Sequence, residues 1–79
     1  MRLDKYLKVS RLIKRRTVAN EACDAGRVAV NGKTAKASQE VKTGDIVEIH
    51  LGEKTVKVEV LQIVDTTKKE LASDMYRYI

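Results

Sequence analysis

The sequence predicts an α+β fold: two short N-terminal helices packed on a small, mostly antiparallel sheet, followed by a short C-terminal helical element. Three observations carry this. Apolar residues in the first 25 positions recur three and four apart, whereas after Gly26 they alternate. Of the 15 Val and Ile residues, 12 lie after Gly26, and β-branched side chains suit a pleated, half-buried surface. Between the first two alternating segments stands Asn31-Gly32, a two-residue hairpin signal whose members tolerate positive φ.

The elements follow in order. Leu3, Tyr6 and Leu7 form one stripe of a helix over 3–10, with Asp4 in the first turn, where a carboxylate complements the exposed amides. A second helix runs from about Arg15 to Ala25 with Val18, Ala19, Ala22 and Cys23 as its apolar face. Its small alanines allow close packing on the first helix, and Gly26 supplies the left-handed residue past its end. Arg27–Val30 and Lys33–Ala35 make the hairpin. Thr43-Gly44-Asp45 turns the chain into a strand over 46–51, where Val47, Ile49 and Leu51 share a face. Gly52-Glu53 turns it again into a strand from about Thr55. There Val56, Val58 and Val60 alternate before the apolar phase slips at Leu61 and Ile63, which predicts a bulge or bend near Val60. Residues 1–64 form the body and 65–79 a tail of the same domain. In the tail, Thr67-Lys68-Lys69-Glu70 has capping-box spacing for one short helix, which Leu71, Met75 and Tyr78 would dock.

Composition narrows the function. With 79 residues the chain is one domain and buries only about 60% of its unfolded surface, so its core is small and continuous. One cysteine excludes an internal disulfide framework. No apolar run approaches the ~20 residues of a membrane span and the start lacks a signal-peptide core, so a cytoplasmic monomer with no membrane partner is expected. The net charge of +5 is unevenly spread. Residues 1–36 hold ten basic residues against three acids, a balance of +7, and residues 37–79 hold six against eight, a balance of −2. That segregation predicts a docking face for an acidic partner.

Catalytic candidates are few, and neither an enzyme nor a cofactor or metal site is expected. His50, the only histidine, falls in a strand on the same face as Glu48, opposite Val47, Ile49 and Leu51. It reads as a solvent-facing residue in preference to a proton-transfer group. Cys23, among Ala19 and Ala22, reads as a small buried hydrophobe in preference to a reactive thiol. The four glycines each end an element and form no phosphate-binding pattern, and the acids are not paired for acid/base work.

The basic front half stands above background. Arg2, Lys5 and Lys8 track one side of the first helix, and Arg11, Lys14, Arg15 and Arg16 crowd the connection and the start of the second. A helix N-terminus offers free amides to phosphate, and guanidinium and ammonium groups beside it fit a nucleic-acid backbone. Asn31, Lys33 and Lys36 extend this surface from the sheet side. Few glutamates are interleaved for i, i+4 pairing, which disfavours a merely solvated helix face. Tyr6 is the only aromatic in the basic half, so stacking on single strands is weak, and no long helix carries base-reading Asn or Gln. Recognition of structured RNA by shape and phosphate fits better.

These residues resemble a known family. Arg2-Leu3-Asp4-x-x-Leu7, Arg16-x-x-Ala19, Gly26-x-Val28-x-Val30-Asn31-Gly32 and Val41-Lys42-x-Gly44-Asp45 are similar, in order and spacing, to the RNA-binding domain of ribosomal protein S-four type, the αL motif. The match spans about residues 2–51. Two departures are Lys14-Arg15, where many relatives cap the second helix with Ser or Thr, and Thr43, where Pro is usual. The whole length, with the tail Asp65–Glu70 and Met75-Tyr76, resembles the stand-alone RqcP family of ribosome quality-control factors, related to the fifteen-kilodalton heat-shock proteins. The resemblance implies a non-catalytic factor on large ribosomal subunits obstructed by peptidyl-tRNA, supporting C-terminal alanine tailing with an RqcH-type partner. Under it Arg2 and Arg16 contact rRNA, neighbouring basic residues hold the P-site tRNA, and Asp4 orients Arg16 or caps the first helix. Alternatives are an accessory subunit of a separate RNA-modifying enzyme, a heat-shock-type recycling factor of large subunits, or a protein adaptor using the acidic back half.

Overall fold

The structure, a computed structural model, describes residues 1–65 and 68–79. Leu3, Tyr6 and Leu7 lie on one side of α1 (Leu3–Val9) and are fully buried. The first amides of this helix need acceptors, and Arg2 at the N-cap gives no side-chain bond. Segment 37–41 supplies two of them, because Leu3 N–H donates to the Gln39 carbonyl at 2.8 Å and Asp4 N–H to that of Ala37 at 3.2 Å. The Lys5 amide donates to Asp4 Oδ1 at 2.8 Å. The start of the chain is thereby tied across the molecule.

After Ser10 the helix stops on Arg11, whose φ of +63 is left-handed, with its amide on the Lys8 carbonyl at 3.0 Å. A side chain there costs about 1 kcal/mol relative to glycine. α2 (Arg16–Asp24) then crosses α1 with Ala19 and Cys23 inward. Val18, expected on that face, is 47% exposed. Successive helical residues are rotated by about 100°, so a stripe centred on Ala19 and Cys23 leaves Val18 turned away from α1. Gly26, with φ +78, ends α2 as expected: its amide bonds the Cys23 carbonyl and the Arg27 amide bonds that of Ala22, the paired bonds of a Schellman stop.

The sheet comprises β1 (Val28–Val30), β2 (Lys33–Thr34), β3 (Ile46–Leu51), β4 (Lys54–Val60) and β5 (Tyr76–Tyr78), in the order β2-β1-β3-β4-β5, with every pair antiparallel. Asn31 and Gly32 both take positive φ in the tight turn between β1 and β2. Register places Val30 opposite Val47, Val28 opposite Ile49 and Val47 opposite Val58, so one valine-rich face is buried beneath the helices. Glu48 and Lys57 pair on the other face. Leu51, on the same face as Val47 and Ile49, is 47% exposed at the end of β3, where it lines a shallow depression with Val18 and Ala22 of α2.

The tail departs from expectation. Its helix, α3 (Lys69–Ala72), is a single turn, and the chain then enters β5 against β4. The spacing of Leu71, Met75 and Tyr78 fits a helix, but Val58 and Val60 leave an open sheet edge that the alternating Tyr76-Arg77-Tyr78 can pair. Only Met75 of the three is buried; Leu71 and Tyr78 are 41% and 68% exposed, and Ala72 is buried instead. The capping-box residue Thr67 lies outside the described residues. The predicted bend near Val60 is present: the amides of Leu61 and Gln62 both donate to the Met75 carbonyl, at 2.8 and 3.2 Å, two residues opposite one. The hydroxyl of Tyr6 donates to the same carbonyl at 2.7 Å.

Among the described residues, no helix is long and apolar enough to cross a membrane. Cys23 is buried, and burial together with the nearby carboxylates of Asp4 and Asp24 pushes its thiol up to about 11. A thiol held neutral in the fold but ionising near 9.0 when unfolded stabilises fully below pH 9 and loses that contribution as pH rises toward 11. We expect a denaturation midpoint that falls across this window by the equivalent of about 1–2 kcal/mol, with a shallower fall in Cys23→Ala. A native thiol that reacts as fast with a disulfide reagent as the unfolded chain would contradict the burial.

Candidate nucleic-acid interface

Asp4 lies at the second position of α1, where the helix faces α2, and only 3% of its side chain is exposed. Oδ1 accepts from the Lys5 amide and from Arg2 Nε at 3.3 Å. Oδ2 accepts from Asn20 Nδ2 at 3.2 Å, Arg2 Nη2 at 3.5 Å and Arg16 Nε at 3.5 Å. Burial raises the Asp4 pKa, but the Asn20 bond, the Arg16 charge and the Lys5 amide outweigh it, and the carboxyl sits below its ordinary value. At neutral pH it is therefore an ionised, buried anchor.

The side chains of Arg2 and Arg16 remain 51% and 48% exposed. Each guanidinium has five N–H donors in a planar fork, and Asp4 engages two from Arg2 and one from Arg16. One carboxylate thus holds two arginines from beneath while part of each fork faces outward. A depression of about 370 Å³ opens over the cluster, lined by Asp4, Arg16, Thr17, Asn20 and Glu21. What this arrangement can do chemically is bind an oxyanion bidentately with little further ordering of its side chains.

The remaining predicted residues fall into groups. Arg11, Lys14 and Arg15 are exposed in the connection between the helices, with Arg15 at the N-cap of α2. Lys8 is in the last turn of α1. Lys36 is exposed and directly precedes Ala37, whose carbonyl receives the Asp4 amide. Lys33 does not join the cluster; it lines a separate cleft of about 430 Å³ with Asn31, Lys42 and Asp45. Lys5 is turned to the tail, with Nζ 3.0 Å from Asp65 Oδ2.

Tyr6 and Asn31 both have partners within the fold. Tyr6, the one aromatic in the basic half, is fully buried on the Met75 carbonyl and offers no stacking surface. Asn31 is drawn into the fold: its Nδ2 donates to Asp45 Oδ1 at 3.1 Å and its Oδ1 accepts from the Ile46 amide at 2.9 Å. Its side chain thus ties the hairpin to the turn before β3. His50 is exposed, with Nδ1 3.1 Å from Thr55 Oγ1. Sequence reading missed Asn20; the available signal was its position four residues after Arg16, on the same helical face.

Residues 1–47 match the model of the S4 domain. The chain belongs to the S4 family. The matched segment contains the whole Asp4 cluster, both helices and the first hairpin. Curated relatives extend through the tail. The chain is 59% identical over 76 residues to a protein of Bacillus subtilis named RQC P-site tRNA stabilizing factor, covering 96% of this chain and 88% of that one. It is 60% identical over 79 residues to the protein of that name from Streptococcus pneumoniae, covering 100% of this chain and 90% of that one. Among solved structures, the trimeric structure of Vibrio cholerae Heat Shock Protein 15 superposes with a TM-score of 0.92 at 30% identity, covering 100% of this chain and 81% of that one. The arrangement of two helices on an antiparallel sheet is thus shared with that structure along the whole of this chain.

Proposed function

We propose that this S4 protein is a non-catalytic RNA-binding factor of ribosome-associated quality control. It binds large ribosomal subunits obstructed by a peptidyl-tRNA, presenting Arg2 and Arg16 to rRNA, with Lys8, Arg11, Lys14, Arg15 and Lys36 completing the basic surface toward rRNA and P-site tRNA. By holding the tRNA it supports addition of a C-terminal alanine tail by an RqcH-type partner. The observation that carries the reading is the pair of half-exposed arginines anchored on one buried carboxylate inside the basic front half. The names of relatives similar over nearly the full chain support the quality-control setting.

The physical task is positioning. Guanidinium forks held by Asp4 meet phosphates with less loss of side-chain entropy than free arginines, and several neutralised phosphates add affinity through counterion release. The test is binding to purified large subunits, with and without peptidyl-tRNA, at increasing salt. For about five neutralised phosphates, affinity falls on the order of 100-fold or more between 50 and 200 mM salt, and obstructed subunits bind more tightly than empty ones. A salt-insensitive association points instead to docking through protein. A second reading, which comes from the sequence resemblance to the fifteen-kilodalton heat-shock proteins, is recycling of obstructed subunits without tailing. Loss of alanine tails in cells lacking the protein separates the two, since recycling alone leaves tailing intact.

A further inference from the structure

The geometry around Asp4 assigns a role to a residue that carries no charge. Oδ1 is fixed by the Lys5 backbone amide at 2.8 Å. Oδ2 has Asn20 Nδ2 at 3.2 Å, whereas Arg2 Nη2 and Arg16 Nε stand at 3.5 Å, the outer limit of a hydrogen bond. Oδ1 also has Arg2 Nε at 3.3 Å, so each carboxylate oxygen has one neutral amide donor, from α1 on Oδ1 and from α2 on Oδ2, with the guanidiniums beside them. We propose that Asn20 is a positioning residue for RNA recognition. It aims the Asp4 carboxylate so that both guanidiniums are presented outward.

Burial gives that aim its weight. At 3% exposure the Asp4 carboxylate takes its partners from the protein, and the half-buried Asn20 is a neutral donor to Oδ2 that leaves the outward part of both arginine forks to phosphate. The other groups around the carboxylate are Arg2 from the extended start and, from α2, Arg16, Glu21 on the rim of the depression and the buried thiol of Cys23. Among these Asn20 is the neutral amide donor. Its bond is the largest of the influences that hold the Asp4 pKa down, with burial acting in the opposite direction.

The inference rests on the reading of Arg2 and Arg16 as RNA contacts, and two measurements keep the two apart. In the free protein, NMR titration of the Asp4 carboxyl reads Asn20 directly: Asn20→Ala moves its midpoint upward, and an unchanged midpoint overturns the inference whatever happens to RNA. On large ribosomal subunits at fixed salt, Asn20→Ala lowers affinity about tenfold, as expected for loss of one hydrogen bond to a charged group. The near-isosteric Asn20→Asp, which preserves volume but replaces the donor by an acceptor, lowers it more. In an Asp4→Asn background, adding Asn20→Ala costs less than about twofold further. A full additional tenfold loss there means Asn20 acts elsewhere and overturns the proposal. If Arg16→Ala binds like the parent while the Asp4 midpoint still moves in Asn20→Ala, the RNA contact has failed but the Asn20–Asp4 lock has not.

Discussion

Arg16→Ala is expected to weaken binding to large ribosomal subunits on the order of 10- to 100-fold, whereas Lys57→Ala changes it by less than about twofold. Arg16 is half-exposed, yet its Nε is tethered to a buried carboxylate, so part of the entropy of ordering a long side chain is already lost in the free protein. Its remaining donors form a planar fork suited to phosphate, and Arg16→Lys, a point charge without the fork, restores only part of the loss. The substitution leaves Asp4 with Arg2, Asn20 and the Lys5 amide, so the fold and its thermal midpoint change little. Lys57 carries the same charge on β4 opposite Glu48, on the sheet face away from the helices. Comparing the two removes net charge as an explanation. Equal losses from both, read by co-sedimentation with purified subunits, would place the docking surface elsewhere than the Asp4 cluster.

What the sequence disclosed and what it withheld divide along physical lines. Local geometry was legible: the stripe of Leu3, Tyr6 and Leu7, the left-handed Gly26 and the Asn31-Gly32 turn each depend on residues within one or two turns of chain. The basic surface was legible as a sum of charges, and the resemblance gave Asp4 its place beneath Arg16. Side-chain partners reached across the fold were not. Tyr6 could be placed on the apolar stripe of α1, but not the partner of its hydroxyl, since the Met75 carbonyl lies 69 residues away. Asn31 looked free until the turn before β3 came to meet it. Asn20 is an ordinary helix residue until α1 sets a carboxylate against it. The strand at the end of the tail was hidden because Leu71, Met75 and Tyr78 fit a helical spacing, and only the open edge of β4 decides between the two.

Met75→Ala is expected to destabilise the fold by about 2–5 kcal/mol, against a total of about 4–12 kcal/mol for a domain of this length. Met75 is fully buried, and its carbonyl accepts from Tyr6 and from the amides of Leu61 and Gln62. Truncating the side chain opens a cavity between the tail and the body, and it loosens the backbone point on which β5 aligns with β4. The effect is thus larger than that of its neighbour Leu71, which is mostly outside the core and costs less than about 1 kcal/mol as Leu71→Ala. Urea unfolding distinguishes two outcomes. If the tail is part of one cooperative unit, Met75→Ala lowers the midpoint with the slope unchanged, and the amides of Leu61 and Gln62 exchange no faster than those of β3 once the loss in global stability is allowed for. If instead the tail is a loosely docked appendage, the midpoint barely moves and those two amides alone lose protection. The Tyr6 hydroxyl favours the first outcome, because it joins α1, which carries Asp4, to the residue that fixes the tail. Damage at Met75 therefore reaches α1, and weaker RNA binding in this variant is expected to track its loss of stability, whereas that in Arg16→Ala is not.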